Sequence, residues 1–350
     1  MFGEELPISK KDIVKHVQRP NCSEFDDDAR RLYASLKRLG WTLNVCREIA
    51  PLTCEINSLK KQKNAVILAH SYQTPDIIYG IADYVGDSYG LSKEAQKTKA
   101  DIIIFAGVRF MAETTKILNP NKTVLLPAID AGCSLSESIT VKDISRLKKQ
   151  HPGVPVVCYV NTSADVKALS DACCTSTNAI KILKALPGDK VIFIPDNFMA
   201  ENIAKLTKKK VIGWNGKCVV HIEFTLEKAS AYKNSHPEIK ILAHSECSPE
   251  LVAIADYVGG TEDIVRYVKQ TDGKKFMLVT ECGLSDRMKI ELPEKEFIGM
   301  CVLCPYMKRN NLHNILAALK KPTKEQTIEV PEDVRVGAEK ALQMMFKLSE

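Results

Sequence analysis

The feature that most limits the fold is a cysteine that returns at nearly constant spacing. Cys133, Cys218 and Cys304 are separated by 85 and 86 residues. A residue recurring once per unit points to three similar modules, each giving one ligand to a shared centre. The flanking sequence carries the same repeat. Phe110-Met-Ala-Glu113 returns as Phe198-Met-Ala-Glu201 at an offset of 88. Ile81-Ala-Asp-Tyr-Val-Gly86 returns as Ile254-Ala-Asp-Tyr-Val-Gly259, and Leu68-Ala-His-Ser71 as Leu242-Ala-His-Ser245. The middle module is less literal, with Tyr159-Val-Asn161 and Asp171-Ala-Cys-Cys-Thr-Ser176 as its counterparts.

One unit reads as an apolar run ending in two polar residues, a helix, a very short strand, another helix and two more apolar runs. In the first unit the runs are Ala65 to Ala69, Asp83 to Val85, Ile102 to Ala106 and Val124 to Pro127. Apolar runs without alternation are strands buried on both faces, and intervening helices make their sheet parallel. The expected fold is therefore α/β, with three pseudo-symmetric αβα modules, each a four-stranded parallel sheet, around a central active site. The divisions are a helical extension over 1–59, modules over 60–148, 149–236 and 237–311, and closing helices over 312–350. Within the extension, Asp26-Asp-Asp28 followed by Leu32, Leu36 and Leu39 reads as an acidic helix start with an apolar stripe. Packing or oligomerisation is the expected role there. Leu312 to Lys320 and Val334 to Leu348 read as amphipathic helices.

No run is long enough to span a bilayer, and the start Met1-Phe-Gly-Glu-Glu-Leu-Pro7 lacks the profile of a secretory signal. The simplest compartment is the cytoplasm. There the 12 cysteines read as thiols or metal ligands and not as a disulfide framework. A formal charge of +6 spread along the chain suits small anionic substrates and marks no nucleic-acid patch. No nucleotide-binding glycine motif is present, so no nucleotide cofactor is expected.

Ligands of parallel αβα sheets bind at the carboxyl ends of strands. There lie three polar pairs, His70 with Tyr72, Tyr159 with Asn161, and His244 with Glu246. Members of a pair are two residues apart and can face one side. Ser88, Ser176 and Thr261 follow the short strands and precede helices, where hydroxyl and backbone N–H groups can hold carboxylate or phosphate. A plain helix cap is the common role of any one such residue. The three cysteines suit zinc or an iron–sulfur cluster; with three ligands on a 4Fe-4S cluster one iron stays open as a Lewis acid. In Cys301-Val-Leu-Cys304 the spacing favours Cys304, leaving Cys301 as a spare thiol or half of a regulatory disulfide. Cys22, Cys46, Cys54, Cys158, Cys173, Cys174, Cys247 and Cys282 read as small buried hydrophobes.

From about Lys61 to Asn311 the chain strongly resembles the quinolinate synthase A family. The resemblance rests on Leu68-Ala-His-Ser-Tyr-Gln73, Gly86-Asp-Ser88, Ala106-Gly-Val-Arg-Phe-Met-Ala-Glu-Thr114, Tyr159-Val-Asn-Thr-Ser163, Thr175-Ser-Thr-Asn-Ala179, Trp214 to His221, His244-Ser-Glu246 and Cys301 to Pro305. It implies three αβα modules and one 4Fe-4S cluster on Cys133, Cys218 and Cys304. The implied reaction condenses iminoaspartate with dihydroxyacetone phosphate to quinolinate, releasing phosphate and two waters. His70, Ser88, Asn161, Ser176, His244 and Thr261 resemble the family's substrate-holding residues, and Tyr72, Tyr159 and Glu246 its proton-transfer groups. Met111 and His221 would line the cavity. The short-lived imine would either be handed over in transient contact with an L-aspartate oxidase or dehydrogenase or diffuse to the site. Two departures stand out: Ser71, where an aromatic or amide is common, and Gly260, where a serine is usual. Ser71 should point away from its pair, and the Gly260 N–H could still serve an anion.

Two rivals remain at this level. One is an iron–sulfur hydro-lyase acting on another hydroxyacid. The other is a three-cysteine iron or redox sensor, which explains the thiols and leaves the converging polar residues without a purpose.

Overall fold

The computed structural model describes residues 14–16, by backbone, and 24–349; the readings for Cys22 and for the start of the chain lie outside them. After β1 (Val14–His16) come helices Phe25–Leu36 and Leu43–Gln62. The first is drawn inward by Ala29, Leu32 and Leu36, all buried, and the short turn after it stops at Gly40, whose φ of 82° is left-handed. Next follow β2 (Ala65–His70), β3 (Tyr84–Gly86), β4 (Ile102–Ala106) and β5 (Thr123–Leu125). The second set is β6 (Val156–Tyr159), β7 (Ala172–Cys174), β8 (Lys190–Ile194) and β9 (Lys210–Gly213). The third is β10 (Lys240–His244), β11 (Tyr257–Gly259), β12 (Lys275–Val279) and β13 (Glu296–Ile298).

The sheets run β3-β2-β4-β5, β7-β6-β8-β9 and β11-β10-β12-β13, one topology used three times with all of these pairs parallel. Register repeats as well: His70 lies opposite Gly86, Tyr159 opposite Cys174 and His244 opposite Gly259. A repeated aspartate helps hold it. Asp83, Asp171 and Asp256 precede the second strand of each sheet, and their carboxylates accept the backbone N–H of Ile67, Val156 and Ile241 at 2.8, 2.7 and 2.8 Å. Each aspartate's own N–H returns a bond to the carbonyl of the same residue. The aspartate within the repeated Ile-Ala-Asp-Tyr-Val-Gly thus pins one strand to the next.

Ile67, Leu68, Ile103, Ile104, Ile192 and Ile241 are fully buried. Each such side chain contributes about 1.5–3 kcal/mol through removal from water. Two features depart from the sequence reading. The extension is not wholly helical, because β1 adds antiparallel to β3 and widens the first sheet to five strands. Cys282 and Cys54, read as small buried hydrophobes, are disulfide-bonded, Cys282 to Cys301 across a Cα separation of 5.0 Å, which leaves Cys301 as half of a disulfide and not a spare thiol. Cys282 opens a helix directly beneath the loop that carries Cys301, and that proximity makes the bond. Helix Leu312–Lys320 packs on the helix over Leu43–Gln62 beside the first sheet, and helix Glu332–Ser349 packs against β7. Among the described residues no helix is long and apolar enough to cross a membrane.

Candidate active site

The carboxyl ends of β2, β6 and β10 open into one cavity of about 710 Å³, and all twelve residues singled out in the sequence line it. In the first and third modules the histidine is set by the same local device. The N–H of Tyr72 donates to Nδ1 of His70 at 3.1 Å, and the N–H of Glu246 to Nδ1 of His244 at 3.3 Å. With Nδ1 used as an acceptor, the neutral ring carries its proton on Nε2 as a donor. Burial, with the Lys308 ammonium as a positive neighbour, takes His70 down to about 3. Burial likewise takes His244 down to about 4 against the pull of Glu246. Both rings are therefore neutral donors at neutral pH.

Glu246 is the negative centre of the site. Burial works against its charge, yet His221 and His244 beside it, and bonds from His221 and Tyr159, hold its carboxyl well below the usual range. Oε1 accepts the Tyr159 hydroxyl at 2.6 Å, and Oε2 lies 2.9 Å from Nδ1 of His221. Burial pushes the phenols of Tyr72 and Tyr159 well up, and for Tyr159 the Glu246 charge adds to it. The Tyr72 hydroxyl meets Thr261 Oγ1 at 2.9 Å and Thr280 Oγ1 at 2.7 Å, and Thr280 Oγ1 is 3.1 Å from Nε2 of His221. Met111, expected in the lining, is instead a 3% exposed side chain within the main apolar core.

Ser88, Ser176 and Thr261 are not helix caps. The helix after β3 is capped by Asp87, which accepts Gly90 N–H at 2.8 Å. Asn178 accepts Thr175 N–H at 2.6 Å ahead of the helix after β7. After β11, Asp263 accepts Gly260 N–H at 2.9 Å. The Gly260 N–H is therefore already bonded and is not a spare anion donor as the sequence suggested. A Cβ at Gly260 would sit 2.5 Å from Ser176 Oγ and 2.8 Å from Thr177 Oγ1, so glycine lets the second and third modules close on each other here. Burial raises Asp87 to about 7. Ser71 does point away from the cavity; its hydroxyl lies 2.9 Å from both Glu262 Oε1 and Arg287 Nη1 in a buried ion pair. Thr175, overlooked in the sequence, also lines the cavity, and its buried hydroxyl has no protein partner.

Cys133, Cys218 and Cys304 stand at the same place in three turns. The sulfur of each receives backbone N–H groups two and three residues on: Leu135 and Ser136, Val220 and His221, Tyr306 and Met307. Burial pushes Cys133 up to about 12 and raises Cys218 and Cys304 as well. A metal centre supplies the positive charge that converts such thiols to thiolates, and the paired N–H groups then stabilise sulfur-borne negative charge. The turns are laced together. Ser134 Oγ donates to Lys217 carbonyl at 3.1 Å and accepts Val219 N–H at 3.2 Å; Tyr306 hydroxyl donates to Glu137 at 3.2 Å. Glu281 accepts Cys304 N–H at 3.2 Å and pairs with Lys308 at 2.9 Å, fixing the third turn to the end of β12. Among the described residues the tightest mixed donor group is Cys218, His221 and Glu246, with ligand atoms within 4.8 Å of one another. Its His221 and Glu246 are already engaged with each other, Thr280 and Tyr159, whereas the three sulfurs have only N–H partners, so the donor set fits a sulfur-ligated centre best.

Residues 54–347 match the family model for the quinolinate synthetase A protein. The chain belongs to the quinolinate synthase A family. It is 47% identical over 297 residues to the quinolinate synthase of Sinorhizobium fredii, covering 84% of this chain and 83% of that protein. It is 48% identical over 293 residues to the quinolinate synthase of Xylella fastidiosa, at 84% and 86% coverage. With quinolinate synthase 2 of Mesorhizobium japonicum it shares 52% over 274 residues, at 78% and 85% coverage. The matched span takes in the four parallel strands of each sheet and every cavity residue described above. The chain is an enzyme of quinolinate synthesis.

Proposed function

We propose that the chain condenses iminoaspartate with dihydroxyacetone phosphate to quinolinate, releasing phosphate and two waters. The observation that carries this is the meeting of three N–H-supported cysteines and the Tyr72, Tyr159 and Glu246 acid–base set in one cavity. Cys133, Cys218 and Cys304 would hold a 4Fe-4S cluster, which when bound supplies an iron without a protein ligand as a Lewis acid for substrate oxygens.

The protein's own groups account for the rest. His70 and His244, neutral with Nε2–H outward, donate to carboxylate or phosphate without adding fixed charge. Ser88, Asn161, Ser176 and Thr261 supply further polar contacts from all three modules. Glu246, ionised and buried, takes protons in isomerisation and condensation, and Tyr159, already donating to it, can return one to a departing hydroxyl. Tyr72 serves at the first module's side. The reading places the enzyme in the cytoplasm and has the short-lived imine supplied through transient contact with an L-aspartate oxidase or dehydrogenase.

Anaerobic reconstitution with iron and sulfide tests this. About four irons per chain are expected, with quinolinate formed from the two substrates, and Cys218→Ser should lose both. One metal per chain without sulfide would favour the Cys218, His221 and Glu246 group instead.

A further inference from the structure

The turn after β7 brings two hydroxyls to the cavity, those of Thr175 and Ser176. Thr175 is 3% exposed and its hydroxyl has no protein partner, so a bound ligand is what can satisfy it. The device that fixes this turn differs from those in the other modules. After β3 and after β11 the turns are held by the carboxyl groups of Asp87 and Asp263, each acting within its own module. After β7 the holder is an amide, and its other half reaches the far end of the chain.

The bond directions follow from what each group can give. The Thr175 N–H can only donate, so the atom of Asn178 that faces it at 2.6 Å is Oδ1. Nδ2 of the same amide is then left to donate, and it meets Ser349 Oγ at 2.9 Å. Ser349 passes its own proton to the Met345 carbonyl at 2.6 Å, and its carbonyl accepts Lys181 Nζ at 3.0 Å. Met345 and Ser349 close the helix over Glu332–Ser349, which packs against β7. Asn178 is buried, at 7% exposure, and spans a separation of 171 residues.

We propose that Asn178 and Ser349 are positioning residues through which the end of the closing helix sets the Thr175 and Ser176 hydroxyls against an anionic group of a substrate. An amide suits this place because it accepts from the turn and donates to the helix at once, which neither Asp87 nor Asp263 does for its own turn. Carboxylate and phosphate are both taken by paired hydroxyls, so either substrate can be the one seated here. The inference rests on the condensing role proposed for this cavity, and the two can fail separately.

The test uses the reconstituted full chain with Ser349→Ala, which removes the acceptor at a half-buried position, and Ser349→Thr, which restores it. Ser349→Ala should raise KM for one of the two substrates about 3- to 10-fold, the worth of one net hydrogen bond, with kcat within about twofold of wild type. The substrate that shows the rise is the one held by this turn. Ser349→Thr should recover most of the loss. Independently of turnover, hydrogen-exchange mass spectrometry should show residues 172–178 exchanging about 3- to 10-fold faster in Ser349→Ala, with residues 84–90 of the first module unchanged. Wild-type KM for both substrates, or wild-type exchange over 172–178, would overturn the proposal. A wild-type chain that forms no quinolinate, with the exchange difference present, would sink the condensing role and leave the tie between helix and turn standing.

Discussion

The first and third modules end their leading strands with the same backbone and opposite chemistry. At β2 and at β10 a histidine accepts the N–H of the residue two places on through Nδ1, at 3.1 and 3.3 Å. The residue two places on is Tyr72 in one and Glu246 in the other. Burial keeps the phenol protonated, while neighbouring imidazoles overcome burial and keep the carboxylate ionised. The repeat thus supplies geometry, and one unequal position per module supplies polarity. A symmetric scaffold becomes an asymmetric catalyst by changing what sits at an otherwise equivalent point.

The largest test of that contrast is to neutralise the charged member. Glu246→Gln should retain iron content and fold and lose about 10²- to 10⁴-fold in kcat, as expected for a lost general base. Tyr72→Phe should cost less, because the remaining chain from His221 to Tyr159 survives intact. Steady-state quinolinate formation by the two variants decides it; equal losses would show that the modules contribute alike.

Where the modules agree, they should respond to acid together. His70 at about 3 and His244 at about 4 lie below their ordinary value of 6.5, so the unfolded chain binds two more protons than the folded one between about pH 4 and 6.5. Asp87, raised from 3.8 to about 7, binds one more proton in the folded state over the same window. The net of one proton makes stability fall as pH falls, by about 1.4 kcal/mol per pH unit from these groups. Thermal melting of wild type and His244→Gln across this range should show the slope flattened in the variant. An unchanged slope would separate His244 from His70.

The smallest effect belongs to the face turned away from the cavity. Ser71→Ala removes a hydroxyl that serves both Glu262 and Arg287, at a cost of about 1–3 kcal/mol in stability. Its kcat should stay at the wild-type value, measured beside Tm. A loss of turnover with unchanged Tm would bring Ser71 into the chemistry.

Three-fold recurrence is what made the site legible. A polar residue at a strand end is unremarkable alone; three pairs at matching offsets locate a common mouth before any coordinates. The same logic hides Thr280. Its counterparts after β4 and β8 are Gly107 and Pro195, so no repeat marks it, and its contacts with Tyr72 and His221 run across modules. β1 was invisible for a related reason: three residues carry too little pattern, and its pairing with β3 is set by the sheet it joins. The bond between Cys282 and Cys301 spans two elements that only the fold brings to 5.0 Å. Ser88, Ser176 and Thr261 line the cavity, but only the bonds accepted by Asp87, Asn178 and Asp263 show that the turns before these helices are held by other side chains.

Helix Glu332–Ser349 covers the edge strand β7 and buries Ala338, Ala341, Leu342 and Met345. Its Gly337 stands where a Cβ would come within 2.9 Å of the Ala168 carbonyl. Ser349 Oγ accepts from Asn178 Nδ2 at 2.9 Å, and the same Asn178 holds the turn bearing Ser176. During synthesis this helix leaves the ribosome after all three sheets. The middle module, second in the chain, is therefore the last to be finished. Until then its apolar flank and its share of the substrate mouth wait uncovered, and the enzyme gains its third wall only after the strands of the third sheet have been made.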